Sequence, residues 1–293
     1  MKSTRLIVTA AVVWCALSFA ACAGRQRVPL GDIPQPRQAS ADEIGQTRAV
    51  VKQLADETGE LLPPSSPQHR RVQTMLSRLA RAASAPPDAF PLYVLRVEDD
   101  VNAMAVNNNS IVVYSSLLQK VPDDDELATV LSHEVAHILA RHGDDNSADE
   151  RGEQVSLAST ILGSVASIGL SAAGQGGLSS IAGDVTETAT SVIGTGAFVR
   201  AYDRELETEA DQVGLMLMAK AGYDPQAALR FWEKSGEIFG STNSFSFLST
   251  HPSSGDRSDS LKTAMPKAMV YYSAAPKAAR DVSPKSSAKK KKK

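Results

Sequence analysis

The sequence is poor in aromatic residues and in cysteine. Aromatic residues make up 5% of its 293 residues, whereas apolar residues make up 42%. This composition favours closely packed helices over a β-sandwich, and the length allows one large domain or two small ones. Both cysteines, Cys15 and Cys22, lie close to the N terminus. The remainder therefore has no thiol pair, and its stability cannot depend on an internal disulfide.

The main body of the chain also lacks an excess of positive charge. Its formal net charge of −2 becomes −7 without the five terminal lysines, and −9 when Lys2 and Arg5 are also left out. An acidic body argues against a nucleic-acid-binding protein. We expect no nucleic acid among its partners.

The N terminus has the pattern of a secretory signal. Lys2 and Arg5 precede an apolar run from Leu6 to Ala21, so residues 1–21 are interpreted as a signal peptide. The sequence around Cys22 resembles a lipobox, which predicts that Cys22 is lipidated and that Ala23 directs the protein to the outer membrane, facing the periplasm. The alternatives are ordinary cleavage after Ala23, which predicts a soluble periplasmic protein, and an uncleaved anchor, for which the run is short.

The body of the chain is predicted to form one domain. Residues 22–39 are rich in proline and polar residues, so they are interpreted as a lipidated N terminus and flexible linker. The domain spans 40–273 and begins with a capping box at Ser40. Residues 274–293 form a lysine-rich tail that is predicted to be disordered. The tail either contacts anionic lipid or cell-wall polymer, or is simply a solvated charge run.

The most informative stretch is the pattern HExxH, formed by His133, Glu134 and His137. Apolar residues around it recur at helical spacing, so the two histidines lie one turn apart on one helix face. Such a pair can bind one Zn²⁺, and Glu134 is then placed to act on a water molecule as general base. A lone histidine on such a helix would more often be structural. The acid-rich helix start at residues 123–126 favours the metal site.

A third ligand is available in a second acidic helix. Glu207 and Asp211 are four residues apart and share a helix face. For either carboxylate alone, compensation of the helix dipole is the simpler interpretation. The combination of HExxH, this ExxxD pattern and a later motif, His251 to Arg257, favours a metal site over helix-dipole compensation.

Together these motifs resemble the zinc metallopeptidase family of the CAAX prenyl protease and HtpX. The resemblance extends from about residue 102 to about 257, and it is greatest to periplasmic lipoprotein members such as LoiP and the catalytic domain of BepA. It implies a mainly α-helical α+β fold of the gluzincin type, with a small β-sheet beside the HExxH helix. It also implies one zinc ion per chain, with Glu207 as third ligand and Asp211 orienting a metal-bound histidine.

The same resemblance suggests further roles. His251 is expected either to act as a fourth, displaceable ligand that latches the metal site or to donate to the transition state, and Arg204 is a second candidate donor. The segment Asn102, Ala103, Met104 and Ala105 resembles an edge strand that pairs with substrate, although an ordinary buried hairpin fits it equally well.

Several structural expectations remain. Val155–Gly183 carries no charge, and we interpret 152–172 and 185–200 as packed helices whose glycine-rich joint is either a mobile flap or a plain loop. Met269–Tyr272 is predicted as a strand. His69, beside two arginines, is expected to be exposed and not a ligand.

The sequence therefore predicts a zinc metalloendopeptidase that degrades misfolded or stalled envelope proteins. The second hypothesis is a lipoprotein that acts as a chaperone or assembly factor for outer-membrane proteins, with its zinc site latched by His251. Either would act on unfolded proteins beside the outer-membrane protein assembly machinery. A purely structural zinc site is disfavoured, because such sites usually have four protein ligands and need no adjacent glutamate.

Overall fold

The computed structural model describes residues 27–107, 109–144, 204–239, 251 and 255–277. Within these residues the fold is mainly helical with one small sheet. The helices are α1 (Ala41–Thr58), α2 (Pro67–Ala82), α3 (Ser115–Lys120), α4 (Asp124–Leu139), α5 (Arg204–Lys220), α6 (Gln226–Phe239) and α7 (Gly255–Ala274). A 3₁₀ turn, His142–Asp144, follows α4. The predicted α+β class is confirmed.

The sheet contains four strands in the order β1-β2-β4-β3. Their bounds are Glu60–Leu61, Leu92–Arg96, Ala103–Val106 and Ser110–Tyr114 for β1 to β4. The β3–β4 pair is the expected antiparallel hairpin, whereas β2 and β4 are parallel. The order leaves β3 at one edge of the sheet, against α4.

Helix α4 lies at the centre of the molecule. Asp123 caps it by accepting from the backbone N–H groups of Asp125 and Glu126. Every residue from Leu127 to Leu139 is buried. A helix that is covered on all sides needs neighbours on all sides, and α2, α5, α6 and the sheet supply them.

Helix α5 packs closely against α4. Gly214 marks the closest approach, because a Cβ atom there would lie 3.0 Å from the carbonyl oxygen of Ser132 and 3.1 Å from the amide nitrogen of His133. The absence of a side chain thus lets the backbone of α5 approach the turn that carries the first histidine. This contact positions the acidic residues of α5 against the HExxH face.

The prediction of a strand at Met269–Tyr272 is wrong, because these residues belong to α7. Leu261, Ala264 and Ala268 are buried at helical spacing, and this packing outweighs the strand propensity of the four residues. The prediction for His69 is also wrong about exposure: only 8% of this residue is accessible. It lies outside the metal-binding group that the described residues form.

Part of the predicted linker lies on the domain. Val28 and Ile33 pack against the core, and the Tyr271 hydroxyl donates to the carbonyl of Gly31 over 2.9 Å. No helix among the described residues combines the length and apolar character needed to cross a bilayer. Cys22, residues 152–172 and 185–200, Val155–Gly183 and residues 278–293 of the lysine-rich tail lie outside the described residues.

Candidate metal centre

Four buried side chains meet between α4, α5 and the start of α7. His133 and His137 project from one face of α4, Glu207 from the first turn of α5, and His251 precedes α7. Each is at most 2% exposed. One potential ligand atom from each lies within 4.8 Å of the other three. The structure therefore brings together the two segments that the sequence analysis paired.

The spacing of these atoms suits a small tetrahedral ion. His133 Nε2 lies 3.0 Å from His137 Nε2 and 3.2 Å from His251 Nδ1. Glu207 Oε1 lies 2.8 Å from His251 Nδ1 and 3.4 Å from His137 Nε2. Ligands about 2.0–2.1 Å from a tetrahedral zinc ion are separated by roughly 3.3 Å. The observed separations bracket that value.

The charge of the centre also suits a dication. Glu134, Glu207 and Asp211 are buried there with one cation, Arg257. With neutral imidazoles the group carries two more negative than positive charges, and such an imbalance is costly away from water. Among the described residues, the Oε2 atom of Glu207 and the Oε1 atom of Glu134 accept no hydrogen bond, although Arg257 and His251, respectively, lie at ion-pair distance from them. A single Zn²⁺ fits both the donors and the charge.

The pKa values of the two α4 histidines respond differently to this environment. Burial opposes protonation of His133, but Glu207 and Asp211 together raise its pKa to about 9. Burial lowers the pKa of His137 well below its usual value. The nearby carboxylates thus favour a positive charge at His133. A metal ion bound there would provide that charge.

Glu134 lies next to the four residues without belonging to them. It is fully buried, and burial raises the pKa of its carboxyl group. The backbone N–H of Ala105 in β3 donates to Oε2 over 2.8 Å, while Oε1 lies 3.3 Å from His251 Nε2. The edge strand and the HExxH helix therefore meet at this carboxylate.

Asp211 supports the first histidine from behind. Its Oδ1 atom lies 3.0 Å from His133 Nδ1, so a proton on Nδ1 leaves Nε2 free to bind a metal. Arg257 donates to both oxygens of Asp211 over 2.7 Å. Burial would raise the pKa of Asp211, but Arg257 and His133 hold it below its usual value. The orienting role of Asp211 stays a prediction, and it would act through this contact with His133.

The arginine that lies at the metal centre is Arg257, whereas the sequence suggested Arg204. Arg204 is exposed at the first position of α5. Arg257 is buried instead, with Nη1 3.1 Å from Glu207 Oε2 and its guanidinium 3.8 Å above the Trp232 ring. In the sequence, Arg257 stands out only as the last residue of the motif that begins at His251. Its role was missed because nothing local connects residue 257 to an acid 46 positions earlier.

Comparisons with known proteins agree with this geometry. The model of peptidase family M48 matches residues 66–265. Mitochondrial metalloendopeptidase OMA1 of Schizosaccharomyces pombe is 30% identical over 83% of this chain and 67% of its own length. OMA1 of Saccharomyces cerevisiae is 29% identical over 73% of this chain and 60% of its own. The β-barrel assembly-enhancing protease of Escherichia coli K12 is 28% identical over 63% and 35%.

The family match includes the HExxH helix and the acidic helix that faces it. The chain spans only part of the length of these relatives. The particular nearness to LoiP, HtpX and the CAAX prenyl protease stays a prediction. The family match covers more than half of the sequence, and a zinc-sized cage of buried donors lies inside it. The chain belongs to peptidase family M48, a family of zinc metalloproteases.

Proposed function

We propose that the protein is a zinc metalloendopeptidase that removes misfolded or stalled proteins of the bacterial cell envelope. The observation that carries this proposal is the position of Glu134. A structural zinc site has no use for an additional carboxyl group buried beside its ligands. Here that carboxyl group is held between an edge strand and the metal-binding group.

His133, His137 and Glu207 would hold the ion. Bound zinc supplies a Lewis acid that polarises a carbonyl oxygen and acidifies a water molecule. Glu134 takes the proton of the attacking water and delivers it to the leaving amine. Its raised pKa makes it a better proton carrier than an exposed glutamate, and the N–H of Ala105 holds the carboxylate in place.

The edge strand β3 supports peptide binding. Ala103 and Ala105 alternate with residues whose backbone bonds to β4, and the Ala105 N–H is turned towards Glu134. A substrate backbone added along this edge would bring its scissile bond beside the general base. Asn102 and Met104 would support the strand from the β4 side. All four residues are buried, so access to this edge requires its covering to move.

His251 is proposed as the group that latches the centre. Its Nδ1 atom takes the position of a fourth ligand, and a site with four protein ligands has no place for water. Displacement of His251 would open that place. We therefore expect His251→Ala to cleave unfolded protein faster than the wild type while it still binds one zinc ion.

The central test compares two substitutions with a control. Glu134→Gln should retain zinc and fold but lose casein cleavage by a factor on the order of 10²–10⁴, because proton transfer is removed while the cage is intact. Glu207→Ala should lose both zinc and activity. Glu233→Gln, an exposed change in α6, should alter neither. Wild-type cleavage by Glu134→Gln would refute the assignment.

The cellular location is proposed from the N terminus. Lipidation of Cys22 would anchor the domain at the periplasmic face of the outer membrane. The name of the E. coli relative, β-barrel assembly-enhancing protease, supports an envelope role, whereas the yeast relatives are mitochondrial enzymes by name. Labelled fatty acid should be incorporated by the wild type and not by Cys22→Ala. If the wild type and Cys22→Ala were released equally into a soluble periplasmic fraction, that result would favour a soluble protein.

A latched centre also supports a second function. With His251 in place, the protein would bind assembly intermediates of outer-membrane proteins as a chaperone and cleave nothing. Wild type and His251→Ala should be assayed together for binding and for cleavage of unfolded outer-membrane proteins. Binding by both with cleavage by neither would favour the chaperone, whereas cleavage lost in Glu134→Gln would favour the peptidase.

A further inference from the structure

A second chain of polar contacts leads away from the metal centre through His142. This histidine begins the 3₁₀ turn after α4 and is fully buried. Its Nδ1 atom lies 2.7 Å from Nδ1 of His137, and its Nε2 atom lies 3.2 Å from Oε2 of Glu209. The other oxygen of Glu209 accepts the backbone N–H of Val28 over 2.5 Å. The contacts thus run from the ligand to a carboxylate.

The order of these atoms determines where the protons lie. His137 must present a bare Nε2 atom to the metal, so its neutral ring carries the proton on Nδ1. That proton can be donated only if Nδ1 of His142 is bare. His142 then carries its own proton on Nε2 and donates it to the Glu209 carboxylate. Every group is satisfied in this one arrangement of tautomers.

Each of the two histidines on α4 is therefore connected to a buried carboxylate on the side away from the metal site. His133 contacts the Asp211 carboxylate directly, and Arg257 fixes that carboxylate. His137 is connected to the Glu209 carboxylate through His142, and the backbone N–H of Val28 holds that carboxylate in place. Partners behind a metal-bound imidazole set its tautomer and orientation. A buried metal-bound imidazole whose second N–H group has no acceptor leaves that donor unsatisfied.

The local backbone explains how His142 reaches His137. Five residues along a continuous helix correspond to a rotation of about 140°, which would turn the two rings apart. Helix α4 instead ends at Leu139, and Arg141 has a φ of 59°, in the left-handed region. The chain turns back there and brings His142 behind the helix face that carries His137.

We infer that His142 and Glu209 are positioning residues that fix the tautomer and ring orientation of His137, as Asp211 does for His133. The inference rests on the proposed function, in which His137 is a zinc ligand. His142 and Glu209 lie outside the group of metal-binding donors and act on the ion only through His137.

The experiment measures zinc affinity of the full chain by competition with a chelator. His142→Leu should bind zinc 10–100-fold more weakly, the range expected for lost support of a ligand. His142→Asn should recover most of that affinity, because its amide oxygen can accept from His137 Nδ1. Glu209→Gln should give a smaller loss. His69→Leu, at a buried histidine elsewhere, should bind zinc as the wild type does.

A double substitution separates positioning from a general loss of packing. The affinity losses of His142→Leu and Glu209→Gln should not multiply, because both substitutions interrupt the same series of contacts behind His137. Asp211→Asn acts on the other ligand, His133, so its affinity loss should multiply with that of either substitution. Wild-type zinc affinity in His142→Leu, with only a lower melting temperature of the zinc-free protein, would overturn the inference. Wild-type affinity in His137→Ala would instead refute the zinc site itself.

Discussion

Arg257 holds two buried carboxylates together. Its guanidinium contacts Glu207 and donates to both oxygens of Asp211. Burial lowers the pKa of Arg257, but the neighbouring carboxylates raise it above its usual value, so the side chain stays charged. Removing one partner of a buried ion pair is far more costly than never having formed the pair.

We therefore expect Arg257→Met to destabilise the zinc-free protein by about 3–5 kcal/mol. The loss should be smaller with zinc bound, because the ion then balances Glu207 and leaves only Asp211 without its partner. Denaturant unfolding with a chelator and with excess zinc measures both values. Equal losses in the two conditions would show that Arg257 acts by packing on Trp232 and not by charge.

Residue spacing explains which site residues could be read from the sequence. His133, Glu134 and His137 are recognisable because a helix fixes their relation within five residues, and Glu207 with Asp211 repeats that spacing. His142 and Arg257 were missed because a left-handed turn and a contact between distant segments place them. Glu209 lies among several acids near the start of α5, where an acid is most simply explained by compensation of the helix dipole.

At the scale of the element, the α4–α5 contact fixes how closely the carboxylates of α5 approach the histidines of α4. Gly214 makes this contact possible. A Cβ atom there would meet backbone atoms, which cannot rotate away as a side chain can. The two helices would have to separate by a few tenths of an ångström.

Gly214→Ala should therefore lower both the unfolding free energy, by about 1–3 kcal/mol, and the affinity for zinc. Gly236→Ala in α6 is the matched control, because a Cβ atom there meets nothing within 4 Å. It should raise stability by about 0.5–1 kcal/mol, as alanine is favoured in a helix. Thermal unfolding and chelator competition measure both effects, and a stabilising Gly214→Ala would contradict the close-contact argument.

The elements themselves were predicted where local signals agree. The capping box at Ser40 lies at the observed start of α1. Tyr271 and its neighbours were misread because aromatic and β-branched residues favour strands, while only tertiary packing keeps them in α7. The parallel β2–β4 pairing was not predicted, because it depends on contacts far apart in the chain.

At the scale of the whole molecule, the metal centre joins segments that are distant in sequence. An ion that binds the folded chain and not the unfolded one stabilises it by about 2.7 kcal/mol at a hundredfold excess over Kd. Each kcal/mol raises the melting temperature by about 2–4 °C for a chain of this size.

Removal of zinc by a chelator should thus lower the melting temperature by about 5–10 °C. Scanning calorimetry before and after chelation, followed by restored zinc, measures the shift and its reversal. Glu207→Ala should give the same melting temperature in all three conditions. A wild-type protein that shows no shift would contradict coupling between metal binding and folding.

The N-terminal segment docked on the domain has a mechanical consequence. Arg27 pairs with Glu205, and Val28 and Gly31 bond to the domain, so the chain is fixed from there onwards. Only five residue steps separate Arg27 from Cys22, a span of at most ~18 Å when fully extended. A lipid on Cys22 would therefore keep the catalytic domain against the bilayer surface. Its search for substrates would then be two-dimensional, confined to chains within reach of the lipid headgroups.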